Sequence, residues 1–421
     1  MAAVEIITFG CRLNAYESEV IRRAAGMAGL EDAVIVNTCA VTAEAERQAR
    51  QAIRRVRRER PQARIIVTGC AATIDPARYR ALPEVDAVLD NRAKLDPHSY
   101  RCARAASEPC PPQRERAEAA ASAGSAADLL DGFAGRARAF LQVQQGCDHR
   151  CTFCVIPAAR GPSRSLPPDV VLARARRLVA GGVREIVLTG VDLTAYGADL
   201  PGRPSLGQLA RHLLAALPEL PRLRLSSLDP AEIDEALWRL FAEEPRLMPH
   251  LHLSLQAGDD VILKRMRRRH SRAVALAVAR RARALRPEVA LGADLIAGFP
   301  TESEEMFRRT LELIAECALA FVHVFPYSAR PGTPAARMPA VPESVVRERA
   351  ARLRQAAAAA LAADLAARRG SESEVLIERP QRGRAAFYAA VAFAGDGAPG
   401  TIRRMRFADS RADRLIGVPV A

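Results

Sequence analysis

From residue 137 to residue 369 one unit recurs about six times: a short β-branched or apolar run, then a longer stretch with apolar residues at helical spacing. The expected strands are 140–144, 185–189, 223–227, 251–255, 290–296 and 321–325, joined by helices that include 168–180, 206–216, 232–243, 271–285 and 302–317. Strands that alternate with crossover helices pair in parallel. Six such units form either an open doubly wound sheet or a partial barrel, and periodicity alone does not separate the two. In both, the working residues gather at the carboxyl ends of the strands.

Two further regions flank this one. Residues 1–100 carry short runs at 4–9, 33–37, 65–68 and 85–89, with a helix at 44–60 whose Ala45, Ala49, Ala52, Ile53 and Val56 share a face. This is a second, smaller parallel-sheet βα domain. Residues 101–136 lose the pattern, with Pro109, Pro111 and Pro112 beside a run of small residues, and read as a linker. From 370 to 421 the runs 375–378, 387–393, 402–407 and 415–420 are separated by Gly and Asp turns and suggest a small β barrel. The fold class is α/β with a β-barrel appendage.

The 421 residues are 49% hydrophobic, which excludes disorder of the whole chain. The 62 basic and 48 acidic residues leave a formal charge of +14, which favours an acidic partner, nucleic acid first. Every basic residue except Lys94 and Lys264 is arginine, so GC-rich coding also accounts for the skew. The first ten residues lack a basic start and a cleavage site. The most apolar helical stretch, 355–367, falls short of the roughly 20 residues that span a bilayer. A cytoplasmic protein with no membrane partner is expected, and its nine cysteines read as metal ligands or catalytic groups rather than disulfides.

Cys147, Cys151 and Cys154 lie just after the first strand of the long series. Three thiolates in eight residues can converge on one centre, one short of the four that usually hold a cubane iron–sulfur cluster, so one iron would stay open to a small molecule. A structural zinc site completed by His149 is the competing reading. A second trio emerges once the strands are drawn: Cys11, Cys39 and Cys70 each follow a strand of the first region, so parallel neighbours would bring them to one sheet edge. Gly10 and Gly69 precede two of them and let the backbone approach closely. Cys102, Cys110 and Cys317 have no such placement and read as bystanders.

The stretch from Cys147 to Gly161 resembles the radical S-adenosylmethionine methylthiotransferases, as do the segments 8–14, 37–42, 68–70, 252–258, 294–300 and 326–333. Residues 190–197 and the opening segment are most similar to the branch that modifies threonylcarbamoyladenosine in transfer RNA. The resemblance implies that the central region is a partial (βα)6 barrel and that the last is an RNA-binding TRAM-like domain. It implies that Cys147, Cys151 and Cys154 hold a 4Fe-4S cluster whose free iron chelates S-adenosylmethionine, which is cleaved to a 5′-deoxyadenosyl radical. It also implies a second 4Fe-4S cluster on Cys11, Cys39 and Cys70 that carries the sulfur. Phe153 would sit beside the cofactor adenine, and Thr189, Gly190 and Asp192 would contact its methionine part. Ser226, Ser227, Gln256, Ile296 and Gly298 end later strands and would line the same mouth.

The implied reaction places a methylthio group on carbon 2 of the adenosine 3′ of the anticodon, with an electron donor such as a flavodoxin or ferredoxin. Arginine runs at 54–58 and 403–406, and the basic run 264–269, could guide the RNA through phosphate contacts. Rival readings are action on isopentenyladenosine or on a ribosomal-protein aspartate, and, from another class, a noncatalytic zinc-containing RNA-binding module.

Overall fold

The computed structural model describes residues 4–104, 126–130, 132 and 137–420. The first region is a parallel sheet in the order β1 (Glu5–Thr8), β2 (Ala33–Thr38), β3 (Arg64–Gly69) and β4 (Ala87–Val88). Its helices are α1 (Arg12–Met27), α2 (Ala43–Glu59), α3 (Cys70–Ile74), α4 (Pro76–Arg80) and α5 (Pro97–Arg104). Every residue of β2 is buried, because helices cover both faces of the sheet. On one face Val34, Val36, Ile65 and Val67 pack with Ile53 and Val56 of α2. The other face, through Ile35 and Ile66, joins Tyr16, Val20, Ile21 and Ala24 of α1 to Ala139 and Leu141 of the next region in one continuous core. That shared core fixes the loops of the first sheet relative to the barrel beside it.

The central region opens with β5 (Arg138–Gln142), then a short antiparallel pair, β6 (Gln144–Gln145) and β7 (Arg164–Ser165), that brackets the cysteine loop and its helix α6 (Ile156–Arg160). It continues through α7 (Pro168–Ala180), β8 (Glu185–Thr189), α8 (Leu206–Ala216), β9 (Arg222–Leu225), β10 (Ser227–Leu228) and α9 (Glu235–Glu243). The last units are β11 (His250–Gln256), α10 (Asp260–Met266), α11 (Arg272–Leu285), β12 (Ala290–Ala297), α12 (Glu304–Glu316), β13 (Leu319–Pro326) and the long α13 (Glu343–Ala367). The sheets β5-β8-β9 and β10-β11-β12-β13 are parallel. Only Ser226 separates β9 from β10, and its N–H donates to Leu188 O at 3.0 Å. Strands adjacent in space are adjacent in sequence, without the reversal of a doubly wound sheet, so the region is a partial barrel. Leu251, Leu253 and Leu255 join the outer core, which turns His250, His252, Ser254 and Gln256 toward the lumen.

The last region is a closed barrel in the order β14 (Glu372–Arg379), β15 (Arg382–Ala385), β16 (Ala390–Phe393), β18 (Arg414–Pro419) and β17 (Ile402–Arg411). Two sequence expectations are corrected here. The strand expected over 387–393 begins only at Ala390, because Tyr388 has φ +79° and its ring leaves the barrel to stack on His250 at 4.5 Å. β15 was not expected at all. In the central region α9 starts at Glu235 rather than at 232, because the Asp234 side chain accepts the Leu237 N–H as its cap. Much of the expected linker, 105–125, lies outside the described residues, but Ala126, Ala127 and Leu130 are buried in the shared core. Among the described residues no helix is long and apolar enough to cross a membrane.

Candidate metal centres and cofactor site

Parallel pairing of β1, β2 and β3 puts their carboxyl ends on one edge, where Cys11 caps α1, Cys39 follows β2 and Cys70 opens α3. Glycine is required in front of two of them. Gly10 has φ +95°, and a Cβ there would lie 2.7 Å from Cys39 Sγ. Gly69 has φ +96°, and its Cβ would meet Thr38 O at 2.3 Å. Asn14 ties the edge together, its Nδ2 donating to Phe9 O at 2.7 Å and Thr38 O at 3.0 Å. Burial pushes the Cys39 thiol up to about 11, and the Cys11 and Cys70 sulfurs add to the rise against the Val41 N–H. Cys39 Sγ accepts from Val41 N–H at 3.5 Å and Cys70 Sγ from Asn91 Nδ2 at 3.7 Å.

Cys147, Cys151 and Cys154 share a loop closed at its base by the β6–β7 pair and by Cys147 N–H donating to Gly161 O at 3.2 Å. Cys147 Sγ accepts from His149 N–H and Cys154 Sγ from Ile156 N–H, both at 3.4 Å. Burial pushes Cys147 up to about 12, with Asp192 and the other two sulfurs contributing, and pushes Cys154 up to about 11. Cys151 moves the other way: burial raises it, but His149 and Arg268 outweigh that, and Arg268 Nη1 donates to its sulfur at 3.4 Å. Thiols raised this far hold their protons until a metal replaces them.

These positions fit clusters better than single ions. Sulfurs around one zinc lie about 3.8 Å apart, given Zn–S bonds of about 2.3 Å. Among the described residues, the sets of three or more His, Cys, Asp and Glu with ligand atoms mutually within 4.8 Å are Cys147–His149–Asp192 and His252–Asp294–His323, and neither contains two thiols. His149 Nε2 lies 3.1 Å from Asp192 Oδ2. A cubane spreads its thiolates over separate irons, and the backbone N–H groups aimed at sulfur suit an anionic cluster.

The two trios are neighbours. Cys70 is among the groups that raise Cys154. Arg160, at the end of α6, crosses to α1 and donates to Glu17 Oε1 at 2.7 Å, Glu17 Oε2 at 3.0 Å and Asn14 Oδ1 at 2.8 Å. Lys94 Nζ donates to the same carboxylate at 2.7 Å, with both side chains fully buried. Burial would raise Glu17, yet Arg160 and Lys94 hold it down to about 2. Nothing in the local pattern signals this network, because its members lie as far as 146 residues apart.

The residues expected around S-adenosylmethionine fall at the strand ends with different surroundings. Phe153 and Ile296 share one apolar cluster with Phe299 and Met266. Thr189 ends β8 and donates to Val187 O at 3.0 Å. A Cβ on Gly190 would come within 2.9 Å of Gln144 Oε1, which accepts the N–H groups of Val191 and Asp192 at 2.9 Å. Asp192 itself turns to Cys147 and His149. Ser226 Oγ is buried without a hydrogen-bond partner among the described residues, Ser227 begins β10, and Gln256 has φ +69°. Gly298 has a packing task, since a Cβ there would meet Val346 of α13 at 2.5 Å.

Two members of the run 264–269, Arg265 and Arg268, turn to this site, whereas Lys264, Arg267 and Arg269 are exposed. Arg265 donates to Thr301 Oγ1 at 2.8 Å, and Arg268 also binds Asp229 at 2.7 Å and Ser254 O at 2.9 Å. Thr152 N–H donates to Met266 O, and its hydroxyl to Arg265 O. Arg57 is likewise absorbed by Asp86 and by backbone carbonyls. Arg403, Arg404 and Arg406 of β17 are exposed, with Arg404 paired to Glu372. Cys317 is buried in the core, Cys102 lies on α5, and Cys110 falls outside the described residues.

Residues 141–314 match the radical SAM superfamily and residues 3–90 match an uncharacterized protein family, UPF0004. The threonylcarbamoyladenosine tRNA methylthiotransferase MtaB of Rickettsia prowazekii is 52% identical over 83% of this chain and 82% of its own. A tRNA-2-methylthio-N6-dimethylallyladenosine synthase of Maricaulis maris is 35% identical over 90% of this chain and 87% of its own. In fold, the chain is similar to the radical S-adenosylmethionine methyltransferase TsrM of Kitasatospora setae, with a TM-score of 0.54 and 15% identity over 80% of this chain and 75% of that one. The chain therefore belongs to the radical S-adenosylmethionine methylthiotransferases, which use S-adenosylmethionine and a 4Fe-4S cluster. Within that family it is more similar to the MtaB protein than to the dimethylallyladenosine synthase.

Proposed function

We propose that this chain converts N6-threonylcarbamoyladenosine at position 37 of transfer RNA, 3′ of the anticodon, into its 2-methylthio derivative. The observation that supports the reading is that the segments carrying the two cysteine trios are tied together: Asn91 Nδ2 donates to Cys70 Sγ at 3.7 Å and to Ala159 O of α6 at 2.8 Å, and Arg160 of α6 is locked onto Glu17 of α1. The higher identity to MtaB than to the dimethylallyl enzyme supports the choice of base. Residues 1–100 would form the domain of the auxiliary cluster, 101–136 a linker, 137–369 the radical core and 370–421 an RNA-binding TRAM-like domain.

Cys147, Cys151 and Cys154 would hold one 4Fe-4S cluster, and Cys11, Cys39 and Cys70 a second. When bound, the first supplies the electron that cleaves S-adenosylmethionine to a 5′-deoxyadenosyl radical, and the second supplies sulfur. Such equipment is needed because the hydrogen on adenine carbon 2 is unactivated, and a side-chain acid or base has no handle on it. The chain's own contribution is positional. Arg268 and the N–H groups of His149 and Ile156 favour anionic sulfur in the cysteine loop. Phe153 and Ile296 offer an apolar wall to the cofactor adenine, and Thr189, Gly190, Asp192, Ser226, Ser227, Gln256 and Gly298 frame the mouth. Gln144 fixes the Gly190–Asp192 turn through both N–H groups.

The anticodon loop suits this site because single-stranded bases can be splayed into a pocket. Arg403, Arg404 and Arg406 would meet its phosphates, and a flavodoxin or ferredoxin in the cytoplasm would deliver the electron. Mass spectrometry of tRNA nucleosides from cells with and without the gene tests the reading. Loss of 2-methylthio-threonylcarbamoyladenosine alone is the expected result. Loss of the isopentenyl counterpart instead would move the enzyme to the sister reaction.

A further inference from the structure

The lumen of the central barrel holds a group of polar side chains that neither cluster uses. Asp294 of β12 accepts from His252 Nε2 at 2.9 Å and from His323 Nδ1 at 3.0 Å. Burial would raise the Asp294 carboxyl, but the two imidazoles hold it well below the usual carboxylate range, so it is ionised. The hydrogen bond to Asp294 in turn raises His323 against burial and against Arg12. His323 pairs in register with Asp294 in the middle of the strand, yet its side chain is 57% exposed. An inward residue at mid-strand with that exposure borders hollow space.

Arg12 faces the same space, its guanidinium 5.5 Å from the centre of the Tyr388 ring, which stacks on His250 at 4.5 Å. Its Nη2 donates to Tyr388 Oη at 3.1 Å. The other guanidiniums around that ring each have a carboxylate partner: Arg138 pairs with Glu378 and Glu185, Arg224 with Glu185, and Arg384 with Glu378. Arg12 has no carboxylate partner among the described residues. Four guanidiniums, those of Arg12, Arg138, Arg224 and Arg384, lie against this ring with, among the described residues, only Glu185 and Glu378 paired to them, so the site carries surplus positive charge. Burial would raise the Tyr388 phenol, but these arginines bring it down to about 8. A metal ion would meet that charge unfavourably, and the Asp294 oxygen it would need already accepts two hydrogen bonds. An anion is the complementary guest.

We propose that Arg12 and His323 form the receptor for the carboxylate on the N6 substituent of the substrate adenine, and so select an acidic substituent over an apolar one. The inference rests on the tRNA reading above and names the residues that read its base. Carbons 2 and 6 of adenine flank the same ring nitrogen, so a substituent on N6 lies beside the reacting carbon. Arg12 directly follows Cys11, one of the proposed ligands of the sulfur-supplying cluster, so a receptor there lies where the acid must reach. Asp294 and His252 are positioning residues that hold the His323 ring and its proton.

The test uses reconstituted protein with S-adenosylmethionine and three fluorescent anticodon stem-loops. One carries threonylcarbamoyladenosine, one the same group with a carboxamide in place of its carboxylate, and one isopentenyladenosine. Wild type is expected to bind the acid about tenfold or more tightly than the carboxamide, as for a charge-assisted hydrogen bond in a recessed site. Arg12→Gln should bring the two affinities together, Arg12→Lys should keep part of the difference, and His323→Gln should reduce it. If Arg12→Gln does not fold, His323→Gln, at an exposed side chain, decides alone. Full acid-over-amide preference in the glutamine variants overturns the proposal, as does equal weakening of all three RNAs, the mark of a backbone-phosphate contact. A wild type that binds the isopentenyl RNA as tightly as the acid overturns the substrate reading along with it.

Discussion

The two cysteine trios reach similar surroundings by different routes. One is written into eight consecutive residues and is held by a loop that a two-strand clasp and Arg268 close. The other collects Cys11, Cys39 and Cys70 from three strand ends and exists only because β1, β2 and β3 pair in parallel register. A loop trio depends on its neighbours in sequence, and a strand-end trio depends on the whole sheet. The first can therefore be disturbed locally, whereas the second is exposed to any change that shifts the edge.

The largest expected effects separate the two by task. Cys151→Ala should lower 5′-deoxyadenosine formation more than about a thousandfold, whereas Cys39→Ala should leave that reaction near wild type and lower methylthio product by a similar factor. Both are read from one anaerobic assay by chromatography of the two products. Methylthio product at the wild-type rate from Cys39→Ala would remove the strand-end trio from the mechanism.

The Glu17 network should break the independence of the trios. Glu17→Gln leaves Arg160 and Lys94 buried without their carboxylate, a loss of about 3–5 kcal/mol for a broken buried pair. It should lower the urea midpoint and the iron retained at both trios together. Iron lost from only one would show that the network does not couple them.

The same carboxylate gives a pH signature. Its folded pKa of about 2 lies below the ordinary 4.5, so its contribution is complete above about 4.5 and is lost as pH falls toward 2. Glu185, buried and held to about 2 chiefly by Arg224 against its burial, behaves likewise. Urea unfolding between pH 6 and pH 3 should show stability falling with acid, by up to about 2 kcal/mol per group. Glu17→Gln should flatten that slope.

Smaller effects test the close approach at the sheet edge. Gly10→Ala places a Cβ against Cys39 Sγ as well as forcing a left-handed residue, whereas Gly161→Ala, with φ +77° and open space around it, carries the backbone penalty alone. That penalty is about 1–3 kcal/mol. Thermal melts should show Gly10→Ala as the less stable of the two, with iron depleted at the strand-end trio.

Much of this architecture was legible in the sequence because it is periodic. The helices at 168–180 and 206–216 and the strand at 185–189 carry their own burial pattern and end where expected. The placement of the cysteines was legible too, Cys147, Cys151 and Cys154 in one loop from their spacing, and Cys11, Cys39 and Cys70 at strand ends from their repetition after successive strands. What could not be read depends on partners far apart in the chain. Arg160 stood inside a recognised motif without a visible task, since Glu17 lies 143 residues away. Arg268 looked like part of a basic surface run and instead bonds Cys151, 117 residues back. Tyr388 looked like strand, but the His250 ring and four guanidiniums draw it out of that role. Local pattern reports which face a residue occupies, and a long-range polar bond can overrule it.

The most direct test is metal content after anaerobic reconstitution, with Mössbauer spectra of the wild type, Cys151→Ala and Cys39→Ala. Two cubanes require about eight irons per wild-type chain and about four in each variant, with the spectrum of the surviving cluster differing between them. Four irons in the wild type, or tightly held zinc in place of iron at either trio, would contradict the account.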